Sequence, residues 1–414
     1  MPKALRFRLA LGLILFQLLL LFAGLAPAAP PIRVGLNADL SGADRQSGEA
    51  IRRGALVAMA EINAAGGVLG RELQLVERDH RRNPARGRHN VEQLAADPAV
   101  IAILGGKHTP VILAELDSIH DRGIPYLVPW AAGSGLMTHG HQPNYVFRLS
   151  LNDAFVGELL VEHALERGLV RPGLLLEQTG WGRSNERALL AALDARELRP
   201  ARVEWFNWGE RDFAPALERL TAAEADSLIF VGNAPDGVHL IDALLARPAS
   251  ARLPVISHWG IAGGDFAAPL GARLDAVDLV FPQTFSFLDP PRPPRAERVL
   301  RRYREQFPPL VGQTLANDPN DPNDPVKTPT GFAHAYDLVH LLALAITQAG
   351  STDRKIVRGA LEQLPAYAGL VRDYDPAFSA KSHDALGPED VNMARFIAGA
   401  IVPLRHATAG GASQ

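Results

Sequence analysis

Short apolar runs alternate with segments of helical period along most of the chain. Val34-Gly35-Leu36 within residues 32–40, Leu73-Gln74-Leu75-Val76 running to Asp79, Val100-Ile101-Ala102-Ile103-Leu104 and Ile124-Pro125-Tyr126-Leu127-Val128 read as strands, each closed by a turn. Between the first two, Ile51, Ala55, Met59 and Ile62 recur at helical spacing over residues 48–65, and Gly66-Gly67 stops the helix. A further helix follows Asn83-Pro84, with Val91, Leu94 and Ala95 on one face. The order is βαβαβα, which predicts a parallel sheet wrapped by helices on both faces.

After Asn144-Tyr145-Val146-Phe147-Arg148 the alternation starts again. Leu174-Leu175-Leu176, Arg202-Val203-Glu204-Trp205, Ser227-Leu228-Ile229-Phe230-Val231 and Pro254-Val255-Ile256-Ser257 read as strands, with helices over residues 185–196, 213–222 and 237–246. The expectation is α/β: two doubly wound, Rossmann-like lobes, with a first crossover at residues 149–153. Residues 276–281 read as another strand. A proline-rich stretch, 289–294, then leads to helices over 296–307 and 331–349. The run Asn317-Asp318-Pro319-Asn320-Asp321-Pro322-Asn323-Asp324-Pro325 is a turn-forming repeat. It lacks the glycine pivot and terminal glutamate of a calcium loop, so residues 317–329 are expected to be an exposed insertion.

The first residues bear on compartment. Lys3, Arg6 and Arg8 precede an apolar run over 9–25, and Ala26-Pro27-Ala28 offers small residues for a signal peptidase. Residues 1–29 are expected to be a signal peptide cleaved near Ala28 or Ala29; the alternative is an uncleaved anchor, since 17 to 25 apolar residues span a bilayer. The chain has no cysteine, hence no lipid-modified cysteine, disulfide framework or thiol chemistry. A length of 414 residues points to two lobes. A net charge of −3 lacks the footprint of a nucleic-acid binder. The basic cluster from Arg78 to Arg88 reads as a solvated loop and helix start.

Ligands of open parallel sheets sit beyond the carboxyl ends of the strands. That rule nominates the small-residue loops 39–42, 105–109, 129–134, 178–182, 232–234 and 257–260, three from each lobe. Trp130, Trp181 and Trp259, three of the five tryptophans, fall on them. They either wall a cleft for a flat or apolar organic ligand or plug core gaps near a hinge.

Glu61-Ile62-Asn63-Ala64-Ala65-Gly66-Gly67-Val68-Leu69-Gly70-Arg71, running to Leu73-Gln74-Leu75-Val76 and followed by Asp79 and Asn83-Pro84-Ala85, resembles the first lobe of the leucine/isoleucine/valine-binding proteins, class I solute-binding proteins of bacterial ABC transporters. Gly105 with its loop, Gly123-Ile124-Pro125 and Trp181-Gly182, where the family commonly has tyrosine-glycine, extend the match over most of the mature chain. The resemblance implies a type I periplasmic-binding fold with a multi-strand hinge. Its implied crossings lie near Gln283 and Met393, giving lobe 1 as 30–149 and 283–392, lobe 2 as 150–282, and a return to lobe 2 with a tail over 393–414.

It also implies a site. Thr109 aligns with the hydroxyl residue that bonds a ligand carboxylate, with Lys107 and His108 beside it. In the next loop the family's Ala-Ala-Thr reads Trp130-Ala131-Ala132, so its threonine is missing unless Ser134 replaces it. Trp259 stands at about the position of the glutamate that pairs with a ligand ammonium; Asp39, Glu177 or Asp236 would have to compensate, because an unpaired buried ammonium costs several kcal/mol. Ser41, Asn233 and Ala234 complete the expected ligand-binding set.

No nucleophile elbow, His-Glu-x-x-His or phosphate loop is found. His139-Gly140-His141 and Asp79-His80 lack further ligands in sequence and read as loop polarity, so no metal, cofactor or enzyme activity is expected. The expected protein is a periplasmic monomer that closes on a branched-chain amino acid or a related aromatic or apolar carboxylate. Its partner is an inner-membrane ABC permease or, in the alternative reading, a membrane sensor.

Overall fold

The computed structural model describes residues 29–288, 294–308 and 328–404. Residues 1–28 of the expected signal peptide, the Asn-Asp-Pro repeat and the end of the expected C-terminal tail lie outside them. Strands β1 (Ile32–Ala38), β2 (Leu73–Asp79), β3 (Val100–Leu104), β4 (Tyr126–Val128) and β5 (Val146–Arg148) form a parallel sheet in the order β2-β1-β3-β4-β5. Helices α1 (Arg45–Ala64), α2 (Pro84–Ala96) and α3 (Thr109–Arg122) make its crossovers. The order reverses between β1 and β3, which opens a crevice at their carboxyl ends.

A second sheet holds β6 (Pro172–Glu177), β7 (Arg202–Phe206), β8 (Ser227–Val231), β9 (Val255–Ser257) and β10 (Leu279–Gln283), parallel and ordered β10-β9-β8-β6-β7. It is wrapped by α4 (Asp153–Glu166), α5 (Gly180–Asp194), α6 (Ala214–Ala222) and α7 (Ala234–Leu245), with a single turn, α8 (Ala267–Leu270), before β10. These are two doubly wound lobes. Their strands are near-continuous apolar runs because both faces are covered.

Helices α9 (Pro294–Gln306) and α10 (Pro329–Ala349) then pack on α1 of the first lobe. A Cβ at Gly54 of α1 would lie 2.1 Å from the Phe332 carbonyl oxygen, so glycine is what lets α1 and α10 approach. Arg53 Nη1 donates to the Tyr303 hydroxyl of α9 at 2.7 Å. Helix α10 is buried almost all round, as its lack of a polar stripe dictates. A short helix, α11 (Arg354–Leu361), and the ribbon β11 (Tyr367–Ala368) and β12 (Asp373–Tyr374) follow. Finally β13 (Asn392–Ile397) pairs antiparallel with β10, and β14 (Ala400–Pro403) pairs with β13, back on the second sheet.

The sequence reading did not foresee α11 or β11 to β14. The β13–β14 turn is Ala398-Gly399, both at positive φ, a two-residue hairpin without the Asn-Gly or Asp-Gly pair that usually announces one. Fully buried Arg148, at the end of β5, donates from Nε and Nη2 to Asp384 at 2.6 and 3.0 Å and from Nη1 to the carbonyls of Ala132 and Gly133. It fixes the loop after β4 that carries Trp130. No helix among the described residues is long and apolar enough to cross a membrane.

Candidate functional site

The carboxyl ends of the two sheets face each other and touch. Lys107 Nζ of the first lobe donates to the Gly260 carbonyl of the second at 3.1 Å, and the Ser134 amide donates to Ser184 Oγ at 3.1 Å. Between them lies a narrow cavity, nearly closed by the contact of the lobes. The β3–α3 turn supplies Lys107, His108, Thr109 and Pro110; the loop after β4 supplies Trp130 and Ala132. From the second lobe come Glu177 and Trp181 after β6, Trp208 after β7, Asn233 after β8, and Trp259 and Gly260 after β9. The structure thus gathers Lys107, His108, Thr109, Trp130, Ala132, Trp181, Asn233 and Trp259 around one space.

The other four expected site residues lie off it. Ser41 is exposed and donates to Asp79. Ala131 packs into the core over the first sheet, and Ala234, at the start of α7, packs into that of the second lobe. The Ser134 hydroxyl donates to Asn152 Oδ1 at 2.9 Å, so it does not replace the absent threonine at the cavity. Sequence reasoning missed Pro110 and Trp208, reached Gly260 only as part of the loop 257–260, and named Glu177 only as a candidate counter-charge. The strand-end rule applied to β7 finds Trp208.

Four of the five tryptophans therefore wall the cavity. Trp130 and Trp259 meet with ring centroids 5.8 Å apart. Trp181 Nε1 donates to Asp153 Oδ1 at 3.2 Å and Trp208 Nε1 to Glu177 at 2.7 Å, which lock both rings. Trp130 Nε1 is buried and has no partner among the described residues. Gly260 is small by necessity: a Cβ there would lie 2.3 Å from the Gly232 carbonyl oxygen and 2.7 Å from the Trp181 ring.

The polar groups divide between the lobes. Helix α3 begins at Thr109 with no side chain capping it, and the dipole of its free end favours an anion. Thr109 Oγ1 accepts the Gly133 amide at 3.1 Å, which leaves its O–H to donate. Lys107 Nζ and His108 Nε2 both donate to Asp44, at 2.9 and 3.0 Å. Burial alone would raise the Asp44 carboxyl, but Lys107, His108 and Arg82 hold it far below the usual range. Burial keeps His108 below the usual imidazole range despite Asp44, and its Nδ1 has no partner among the described residues.

Glu177 faces them. It accepts from Thr179 Oγ1 at 2.6 Å, Trp208 Nε1 at 2.7 Å and Asn233 Nδ2 at 3.0 Å, yet complete burial pushes its carboxyl up to about 7. Asp236 is also raised by burial.

Arg82 corrects the reading of residues 78–88 as solvated. Its side chain is 11% exposed, lies 3.4 Å from Asp44 and 3.6 Å from Asp236 of the second lobe, and stacks over Trp208 at 4.5 Å. His80 is buried too, and burial with neighbouring His108 lowers its imidazole to about 3. Asp39, Asp44 and His108 approach one another as a metal set would. The Lys107 ammonium on Asp44 already supplies the cation there.

Comparison with known proteins agrees with this geometry. A family model described as periplasmic binding protein matches residues 31–398. The Leu/Ile/Val-binding protein homolog 3 of Brucella melitensis is 24% identical over 335 residues, 80% of this chain and 83% of that protein. Among solved structures, the branched-chain amino acid transporter substrate-binding protein LivJ of Streptococcus pneumoniae, in complex with isoleucine, is 21% identical at a TM-score of 0.74, covering 90% of this chain and 97% of that one. An ABC-transporter solute-binding protein of R. palustris in complex with 4-hydroxybenzoate is 16% identical at a TM-score of 0.75, covering 91% and 96%. With nearly the whole described chain inside the family match and the site at the junction of two doubly wound lobes, this chain belongs to the periplasmic binding protein family.

Proposed function

We propose that the protein is the periplasmic substrate-binding component of an ABC transporter, capturing a small carboxylate with an aromatic or apolar body and delivering it as a monomer to an inner-membrane permease. The observation that carries the ligand class is the cavity wall: four tryptophans with an uncapped helix start, Thr109 and Lys107 at one end. Flat apolar surface suits the body of such a ligand, and the helix end suits its carboxylate.

Charge balance supports this reading. Burial raises both Glu177 and Asp236. Protonation of Glu177, raised to about 7, removes a negative charge from the cavity wall opposite Lys107, which favours an anion there. The relatives bind both kinds of solute: the S. pneumoniae protein holds isoleucine and the R. palustris protein 4-hydroxybenzoate. Glu177 is the one observation that favours an amino acid, since it is an acidic group at the cavity wall able to meet an ammonium. The leader at residues 1–29 is proposed to direct export and to be removed.

Thermal-shift and calorimetric titration of the mature protein against benzoate, 4-hydroxybenzoate, 4-methyl-2-oxopentanoate, leucine and isoleucine tests the proposal. A ligand at about one hundred times its Kd adds roughly 2.7 kcal/mol of stability. The acids without an α-ammonium are expected to bind and to change tryptophan fluorescence. Binding of leucine or isoleucine with none of these acids binding would overturn the ligand class.

A further inference from the structure

The far end of α3 carries a second cluster that the solute site does not use. His120 lies in the last turn of α3, and His139 and His141 lie in the segment leading to β5. One ring nitrogen of each histidine is within 4.8 Å of the other two. Ring centroids are 4.6 Å apart for His120 and His139, 4.3 Å for His120 and His141, and 5.2 Å for His139 and His141. His139-Gly140-His141 seemed too poor in ligands by sequence; the fold brings the third imidazole from about twenty residues away.

The orientation of the rings is more informative than their proximity. A metal-binding histidine typically donates one ring N–H to a carbonyl or carboxylate, which fixes its tautomer and leaves the other lone pair for the metal. All three rings have such a partner. His120 Nδ1 is 2.7 Å from the Leu116 carbonyl, His139 Nε2 is 3.1 Å from Asn144 Oδ1, and His141 Nε2 is 3.1 Å from Asp117 Oδ1. The opposite nitrogens of His120 and His139 accept the amides of Tyr145, at 3.3 Å, and His141, at 3.1 Å, contacts that a bound ion would replace.

We propose that His120, His139 and His141 form a binding site for a divalent transition-metal cation of the zinc class, with water as the fourth ligand. Zinc–nitrogen bonds of about 2.0 to 2.1 Å in a tetrahedron place the nitrogens roughly 3.4 Å apart. Reaching that geometry requires the His120 and His141 rings, stacked at an interplanar angle of 10°, to splay so that their in-plane lone pairs converge. Imidazole ligands select zinc, copper or nickel over magnesium and calcium, which prefer oxygen. The bound ion would tie the last turn of α3 to the segment between Trp130 and β5. Because α3 is a 14-residue helix about 20 Å long, the ion sits far from Lys107 and Thr109. Solute affinity is therefore not expected to follow metal loading.

The test uses the mature chain with no polyhistidine tag and Zn²⁺ alone. Calorimetry and metal analysis after dialysis should give one equivalent per chain with micromolar or tighter affinity. Cobalt should give the visible absorption of a tetrahedral centre. His141 is the clean target, being partly exposed with no structural bond beyond Asp117 and ring contacts. His141→Gln should weaken zinc binding at least tenfold, and His139→Gln/His141→Gln should abolish both the equivalent and the cobalt spectrum. Asp117→Asn should weaken binding severalfold with no effect on the fold. Thr109→Ala should leave zinc uptake unchanged, which separates this site from the solute site. Uptake below one equivalent, or equal uptake by the folded double variant, would overturn the proposal.

Discussion

Glu177 gives the sharpest test of ligand charge, because the sign of one pH dependence separates the two ligand classes. Its carboxyl is fully buried, raised from 4.5 to about 7, and stands at the cavity wall. A bound carboxylate about 5 Å away would repel the ionised form by roughly 3 kcal/mol at an effective dielectric of 20. That repulsion raises the carboxyl by a further ~2 pH units in the complex, so binding an anion takes up a proton. With the group titrating near 7 in the free protein, Kd should rise about fivefold between pH 7 and pH 8, equivalent to about 1 kcal/mol. Glu177→Gln keeps the shape and most of the hydrogen bonding while removing the charge. In that variant Kd should be nearly flat over the interval and close to the wild-type value at pH 6. Calorimetric titration of benzoate at pH 6, 7 and 8 measures both. An α-amino acid reverses the sign: ionised Glu177 would pair with the ammonium, affinity would rise with pH, and Glu177→Gln would weaken binding. That pattern would refute the carboxylate reading.

Thr109→Ala should weaken ligand binding at least tenfold by calorimetry while Thr109→Ser retains it, since a hydrogen bond to a charged group is worth about 1.5 to 3 kcal/mol; unchanged affinity would remove Thr109 from the site. Arg82→Ala removes the cation between Asp44 and Asp236 and its stacking on Trp208. It should weaken binding by about tenfold or more, roughly 1.4 kcal/mol, and leave the ligand-saturated protein with a larger radius of gyration by X-ray scattering. Glu115 is fully buried under the Tyr126 hydroxyl and Asn37, and burial raises its carboxyl from 4.5 to about 8. A raised acid favours the folded state below the unfolded value and loses that contribution as pH rises, so stability should fall between about pH 5 and 8 by on the order of 3 kcal/mol. Glu115→Gln should flatten that slope in urea titrations at pH 5 and 8.

The two-lobed α/β architecture was legible because each buried parallel strand is a short apolar run and each helix has a punctuated end. Gly66 and Gly67 adopt φ of +104° and +75° after α1, a conformation that makes glycine readable as a stop. Asn83 caps α2 by accepting the Arg86 amide at 3.0 Å. The late strands were not legible. β11 and β12 are two residues each, below any period, and β13 and β14 pair locally around an unmarked turn before joining β10, more than a hundred residues earlier.

Within the site, residues that follow strand ends in a simple way were found, and residues whose role depends on what lies opposite were not. Trp130, Trp181 and Trp259 sit one or a few residues beyond a strand, and the strand-end rule reaches them. Arg82 sits in a run of arginines of which Arg81, Arg86 and Arg88 read as surface charge. Nothing in that run distinguishes the one that turns inward. Its burial depends on Asp44 and Asp236, which lie 3.4 and 3.6 Å away but far off in sequence. Glu177 shows the same dependence from the other side. Its neighbours Thr179, Trp208 and Asn233 arrive from three different loops; the burial that raises the carboxyl to about 7 comes only when those loops close over it, and it outweighs the hydrogen bonds from Thr179 and Trp208 that lower it. A sequence exposes the anchor points of such a cleft; the charge state that decides its ligand arises between elements, when the lobes meet.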